Sequence, residues 1–134
     1  MGVIKIIALG TVVGAGLLFV FARPRIPDEI RGRAELAPQD AYDKYYAESG
    51  LPRDLVVDVL GFIASELQVP VTKLRPSDGF DTDLRAITRE WDSGMAILLG
   101  QLESDARRRK VPLQWPIDTI DDYVRAYCSV EAAA

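Results

Sequence analysis

Few residues in this chain could do chemistry, and Ser93 stands first among them. The run Asp92-Ser93-Gly94-Met95 comes directly before an apolar-periodic stretch, where Asp92 or Ser93 can cap the start of a helix. A hydroxyl at a helix N-terminus is exposed, and its role as a cap follows from residue type alone. There is no histidine, which removes imidazole acid–base chemistry, Ser-His-Asp triads and histidine metal sites. The single Cys128 has no internal partner and reads as a small packing residue near the C-terminus. Neither paired carboxylates, nor a nucleotide loop, nor a nucleophile–base set stands out, so an independent enzyme is the least favoured class. A net charge of −4 argues against a nucleic-acid partner.

The elements that would position Ser93 follow from periodicity. Residues 52–68 form the clearest helix, with Leu55, Val56, Val59, Leu60, Ile63 and Leu67 at steps of three and four. Pro52 and Asp54 suit its first turn, and Pro70 stops it. A second helix is predicted over 93–109, through Met95, Ile97, Leu98, Leu99 and Leu102, and it closes on the basic run Arg107 to Lys110. That run complements the helix dipole and reads as a solvated end. Val111, Leu113 and Trp115 are expected to turn inward from the next connection. Asp118 or Thr119 then caps a last helix over 119–128, with Ile120, Tyr123, Val124 and Tyr127 on one face, followed by a frayed tail at 131–134. No stretch alternates as a strand would, so the fold class is all-α.

Ahead of this bundle (51–130) lie two further segments. Residues 1–22 include the apolar run Val3 to Ala22, long enough at about 20 residues to span a hydrocarbon core. Arg23, Arg25, Arg31 and Arg33 follow it, which predicts a single-pass anchor in the inner (cytoplasmic) membrane with the C-terminal domain in the cytoplasm. Cleavage after Val20-Phe21-Ala22 is the competing reading. The length of the apolar run and the lone Lys5 before it favour a retained anchor. Residues 23–50 read as a tether, extended or partly helical, then a short helix from Gln39 to Ser49. Its Tyr42, Tyr45 and Tyr46 are expected to pack onto the domain, with contact to lipid head groups as the competing reading.

Between the first two bundle helices runs LQVPVTKLRPSDGFDTDL, Leu67 to Leu84. Its apolar residues Leu67, Val69, Leu74, Phe80 and Leu84 are spaced to peg a long loop across a helical bundle. With Asp83 before Leu84, Pro76 within the loop, and the closing Thr119-Ile120-Asp121-Asp122-Tyr123-Val124, this arrangement resembles the acyl carrier protein family. The likeness covers Asp54 to Tyr127, and its specific positions are fold signals.

The resemblance implies a covalent 4'-phosphopantetheine on Ser93, with Asp92 as its neighbour in the family's Asp-Ser-Leu motif. Free amide N–H groups at the helix start favour the phosphate such an arm carries. The arm's thiol would hold acyl groups for partner enzymes, in keeping with a role in lipid metabolism. This sequence departs from the pattern in three ways. Asp92-Ser93 comes several residues after Asp83-Leu84, with Arg85 to Trp91 between; Gly94 replaces the leucine; and the second helix ends in Arg107 to Lys110 where the family is acidic. The basic run could instead lie against anionic lipid. Two readings therefore stand: a membrane-tethered carrier with Ser93 as attachment point, and a degenerate carrier-like bundle that serves as a binding or scaffold subunit of a membrane complex.

Overall fold

A computed structural model describes residues 26–85 and 93–133, apart from the Ser93 side chain. Among the described residues there are five helices and no strand: α1 Asp28–Arg31, α2 Pro38–Tyr45, α3 Arg53–Leu67, α4 Ser93–Arg109 and α5 Ile120–Ala132. The fold is all-α, with a single isolated bridge between Gly79 and Thr119. The apolar run Val3 to Ala22 lies outside the described residues. Within them, no helix is long and apolar enough to cross a membrane.

Each helix starts and stops where local chemistry directs. Pro38 opens α2 and Asp40 sits in its first turn, against the positive end of the helix dipole. α3 buries Val56, Val59, Leu60, Ile63 and Leu67 on one stripe. It ends because Gln68 turns left-handed (φ 58°) while the Gln68 and Val69 N–H groups donate back to the Ser65 and Ala64 carbonyls. At α5 the Thr119 hydroxyl accepts from the Asp122 N–H at 3.1 Å, and the Asp122 carboxylate accepts from the Thr119 N–H at 3.0 Å. This reciprocal pair satisfies two amides that water would otherwise have to reach.

α3, α4 and α5 pack around Val59, Ile63, Leu98, Leu102, Ile120, Tyr123 and Val124. α4 runs antiparallel to α3, since Gly94 at its start lies against Glu66 at the end of α3. α5 starts at the same pole and runs to the opposite one, where Arg109 bonds the Val130 carbonyl and Glu131. The long first loop crosses the pole where α3 ends and α4 and α5 begin. Leu67, Val69, Leu74, Phe80 and Leu84 are all buried beneath it, as the spacing of these pegs predicts. Each contributes roughly 1.5–3 kcal/mol by leaving water, against the conformational entropy of ordering the loop.

Four expectations need revision. The stretch before the short helix is more than a tether, since Ile30 is buried in the core, whereas the short helix packs as expected through Ala41 and Tyr46, whose hydroxyl donates to Asp121 at 2.8 Å. Tyr45 does not share that packing and is exposed, because it sits a third of a turn from Tyr46 on α2. Trp115 points outward at 53% exposure; Ile117, two residues on, takes the inward position instead. Finally, α5 continues to Ala132, since Val130 is buried and Arg109 holds Glu131, so the alanine-rich end is largely helical.

The segment before α2 is strapped to the first loop by a buried ion pair. Arg33 donates to both carboxylate oxygens of Asp78 at 2.7 Å, and Asp78 is only 1% exposed. The Arg75 N–H completes the carboxylate's set at 2.8 Å, while Arg33 also reaches the Lys73 carbonyl. On the same strap the Leu36 N–H donates to the Thr72 carbonyl, and Arg75 reaches the Ala34 carbonyl. Asp78 beside it holds the Arg33 guanidinium still more firmly in its charged form.

Candidate site at the start of the second bundle helix

α4 spans Ser93–Arg109, the range that the apolar periodicity predicts; Asp92, the Ser93 side chain and the Arg85 to Trp91 insert after its first residue lie outside the described residues, and the capping call on Asp92 or Ser93 lies there with them. On one side Gly94 meets α3 so closely that a Cβ there would stand 2.3 Å from the Glu66 carbonyl oxygen. No side chain fits in that gap, so the backbones of α3 and α4 touch. Glycine at position 94 is thus a packing requirement of this bundle, and it fixes how the Ser93 end of α4 is held.

On the other side a groove of about 340 Å³ opens, lined by Phe80, Asp81, Met95, Ala96, Leu99, Ile117 and Asp118. Met95 and Leu99 stand one helical turn apart and form one wall. Phe80 and Ile117, both buried, form the floor. Phe80 is a loop peg and Ile117 closes the 110–119 connection; the Phe80 N–H donates to the Asp118 carbonyl at 2.8 Å and joins these two segments. Ala96 is one turn from Ser93, about 5 Å along the helix axis, so the groove lies next to the helix start. The volume is at the lower end of the range for small-molecule sites, about 300–1,000 Å³.

The turn that presents Phe80 is set by Asp83. Its carboxylate accepts the Gly79 N–H at 3.0 Å and the Thr82 hydroxyl at 3.3 Å. The Gly79 amide bond, helped by Thr82 and by the charge of Arg33, holds the Asp83 carboxyl below its usual range. The Asp83-Leu84 pair thus does structural work: Asp83 closes the turn and Leu84 anchors it in the core.

Several features of this site were not legible from residue spacing. Met95 reads as an ordinary core position, yet it is half-buried on the groove wall. Ile117 carries no periodic signal because it lies in a connection. Nothing local links Arg33 to Asp78 across 45 positions, and only their opposite charges hint at the pair. A second groove of about 340 Å³ runs between the 112–116 segment, including exposed Trp115, and the outer face of α5 at Arg125, Ala126 and Ser129. It involves no residue of the first loop or of α4.

Comparison with family models, curated proteins and solved structures finds no match for this chain. The residues and their geometry therefore carry the functional argument.

Proposed function

We propose that this protein is a membrane-tethered carrier that holds an acyl group on 4'-phosphopantetheine at Ser93 for partner enzymes. The observation that carries this reading is the start of α4 at Ser93 beside the groove of Phe80, Met95, Leu99 and Ile117. An attached arm supplies a thiol that forms thioesters. The chain's own residues do the rest. Amide N–H groups of the first α4 turn favour the phosphodiester's negative charge. Met95, Leu99, Phe80 and Ile117 offer apolar surface where a short acyl chain can shelter from water. Ser93 is an attachment point and not a catalyst; a separate synthase would load it. The domain is placed on the cytoplasmic side of the inner membrane, held by residues 1–22, where coenzyme A is available.

A second reading has its own observation. α4 presents Ala96, Ile97 and Gly100 to solvent, with Ile97 48% exposed, and ends in basic residues. That face differs from an acidic recognition helix and suits a scaffold subunit of a membrane complex that needs no modification. Intact-mass measurement of protein from its native host separates the two. A phosphopantetheine adduct abolished by Ser93→Ala supports the carrier. A single unmodified species, unchanged by coenzyme A and a broad-specificity synthase, supports the scaffold. In that case Ser93→Ala leaves function intact, while Ile97→Asp impairs it.

A further inference from the structure

We propose that the groove beside the start of α4 takes a primary amine with an apolar body, and that Asp81 and Asp118 at its rim select it. The inference concerns the groove itself; its extension to a carried group rests on the carrier reading. Each carboxylate follows a floor residue in sequence, Asp81 after Phe80 and Asp118 after Ile117, and both line the groove. The backbones that bear them are clamped side by side. Gly79 and Thr119 form an antiparallel bridge, flanked by the Phe80 N–H on the Asp118 carbonyl and the Ile120 N–H on the Asp78 carbonyl. Like charges held on adjacent backbones repel each other, and a cation between them relieves that repulsion.

The other acids of this pole are already engaged. Asp83 holds the Gly79 N–H, Asp121 pairs with Arg125 and accepts from Tyr46, and Asp122 caps α5. Asp81 and Asp118 are exposed, and among the described residues neither carboxylate has a hydrogen bond or ion pair. The described lining of the groove holds no lysine or arginine. A cleft lined by one sign of charge concentrates the opposite sign. Its occupant must therefore bring positive charge to the rim and apolar surface to Phe80, Met95, Leu99 and Ile117. A metal ion meets only half of this: two carboxylates are fewer oxygens than a hard divalent cation gathers, and no group of three ligating side chains occurs among the described residues. An ammonium on an apolar body meets both. On the carrier reading, the group held for transfer is then an aminoacyl unit with an apolar side chain.

The test titrates the full chain in detergent micelles, labelled at the methionine methyl groups, and follows the methyl signals by NMR. The two methionines are Met1 and Met95, and Met95 stands on the groove wall. Leucinamide carries both a charged amine and an apolar side chain, N-acetyl-leucinamide lacks the charge, and glycinamide lacks the side chain. At about pH 6.5, below the ordinary α-amino range, leucinamide should shift the Met95 methyl with an affinity roughly three- to thirtyfold above the acetylated compound, as two exposed ion pairs allow. The advantage should shrink in high salt. Glycinamide should bind roughly tenfold more weakly than leucinamide or worse, since it leaves the apolar floor uncovered. Asp81→Asn with Asp118→Asn should abolish the preference for the charged compound, while Asp54→Asn with Asp58→Asn, which removes the same charge from α3, should keep it. Equal binding with and without the acetyl group, a preference that survives loss of both rim carboxylates, or glycinamide binding as tightly as leucinamide overturns the proposal. The mass of Ser93 is read separately: an unmodified protein that selects leucinamide sinks the carrier and spares the groove, and a modified one without that selectivity does the opposite.

Discussion

Replacing Gly94 by alanine should destabilise the fold, even though alanine is the better helix former. The added Cβ would lie 2.3 Å from the Glu66 carbonyl oxygen and 3.1 Å from its carbon, where ordinary contact begins at 3.4 Å. Both neighbours are backbone atoms of α3, so no side chain can swing aside, and the helices must part by about 1 Å. Overpacking of this kind costs about 1–3 kcal/mol. Removing glycine from a helix returns at most about 1 kcal/mol, and less in a first turn. The net loss should be about 1–2 kcal/mol, a fall in Tm of several degrees for a domain of this size. Gly94→Leu, with the larger side chain at the same contact, should lose more. Thermal and urea unfolding of the full chain in detergent micelles, followed by far-UV circular dichroism, measures this. A Gly94→Ala protein as stable as the parent would refute the backbone contact and the account of why glycine stands there.

Three other expectations follow from the same geometry. Arg33→Ala leaves the Asp78 carboxylate buried without its partner and should cost about 3 kcal/mol in urea unfolding; Arg33→Met combined with Asp78→Leu should recover much of it. A double-mutant coupling near zero would show that the pair is not formed. Thr119→Ala removes the side-chain cap of α5 and should lower stability by about 1 kcal/mol, read as a drop in Tm. Asp83 has its folded pKa below the ordinary 3.8, so its contribution is complete above that value and is lost as pH falls through the lower folded one. Asp83→Asn should be less stable than the parent near neutrality, with the difference shrinking on acidification; a difference that grows as pH falls would overturn the assignment.

The sequence by itself determined the helices and the pegs. Apolar steps of three and four mark α3, α4 and α5 because a helix buries one stripe, and that information is local. The pegs Leu67, Val69, Leu74, Phe80 and Leu84 were legible because bulky apolar residues in a loop have few other places to go. Tertiary structure alone decided the rest. Arg33 reads as one of several arginines beside an apolar run, and only the folded loop brings Asp78 to it. Trp115 and Ile117 are both apolar residues of a connection, and the path of the chain chose which one faces in. Gly94 looks like a gap in a motif until α3 is seen pressed against it. The groove beside Ser93 exists in no single segment: its walls come from the first loop, α4 and the approach to α5. Such features depend on distances between residues far apart in sequence, and periodicity carries no record of those.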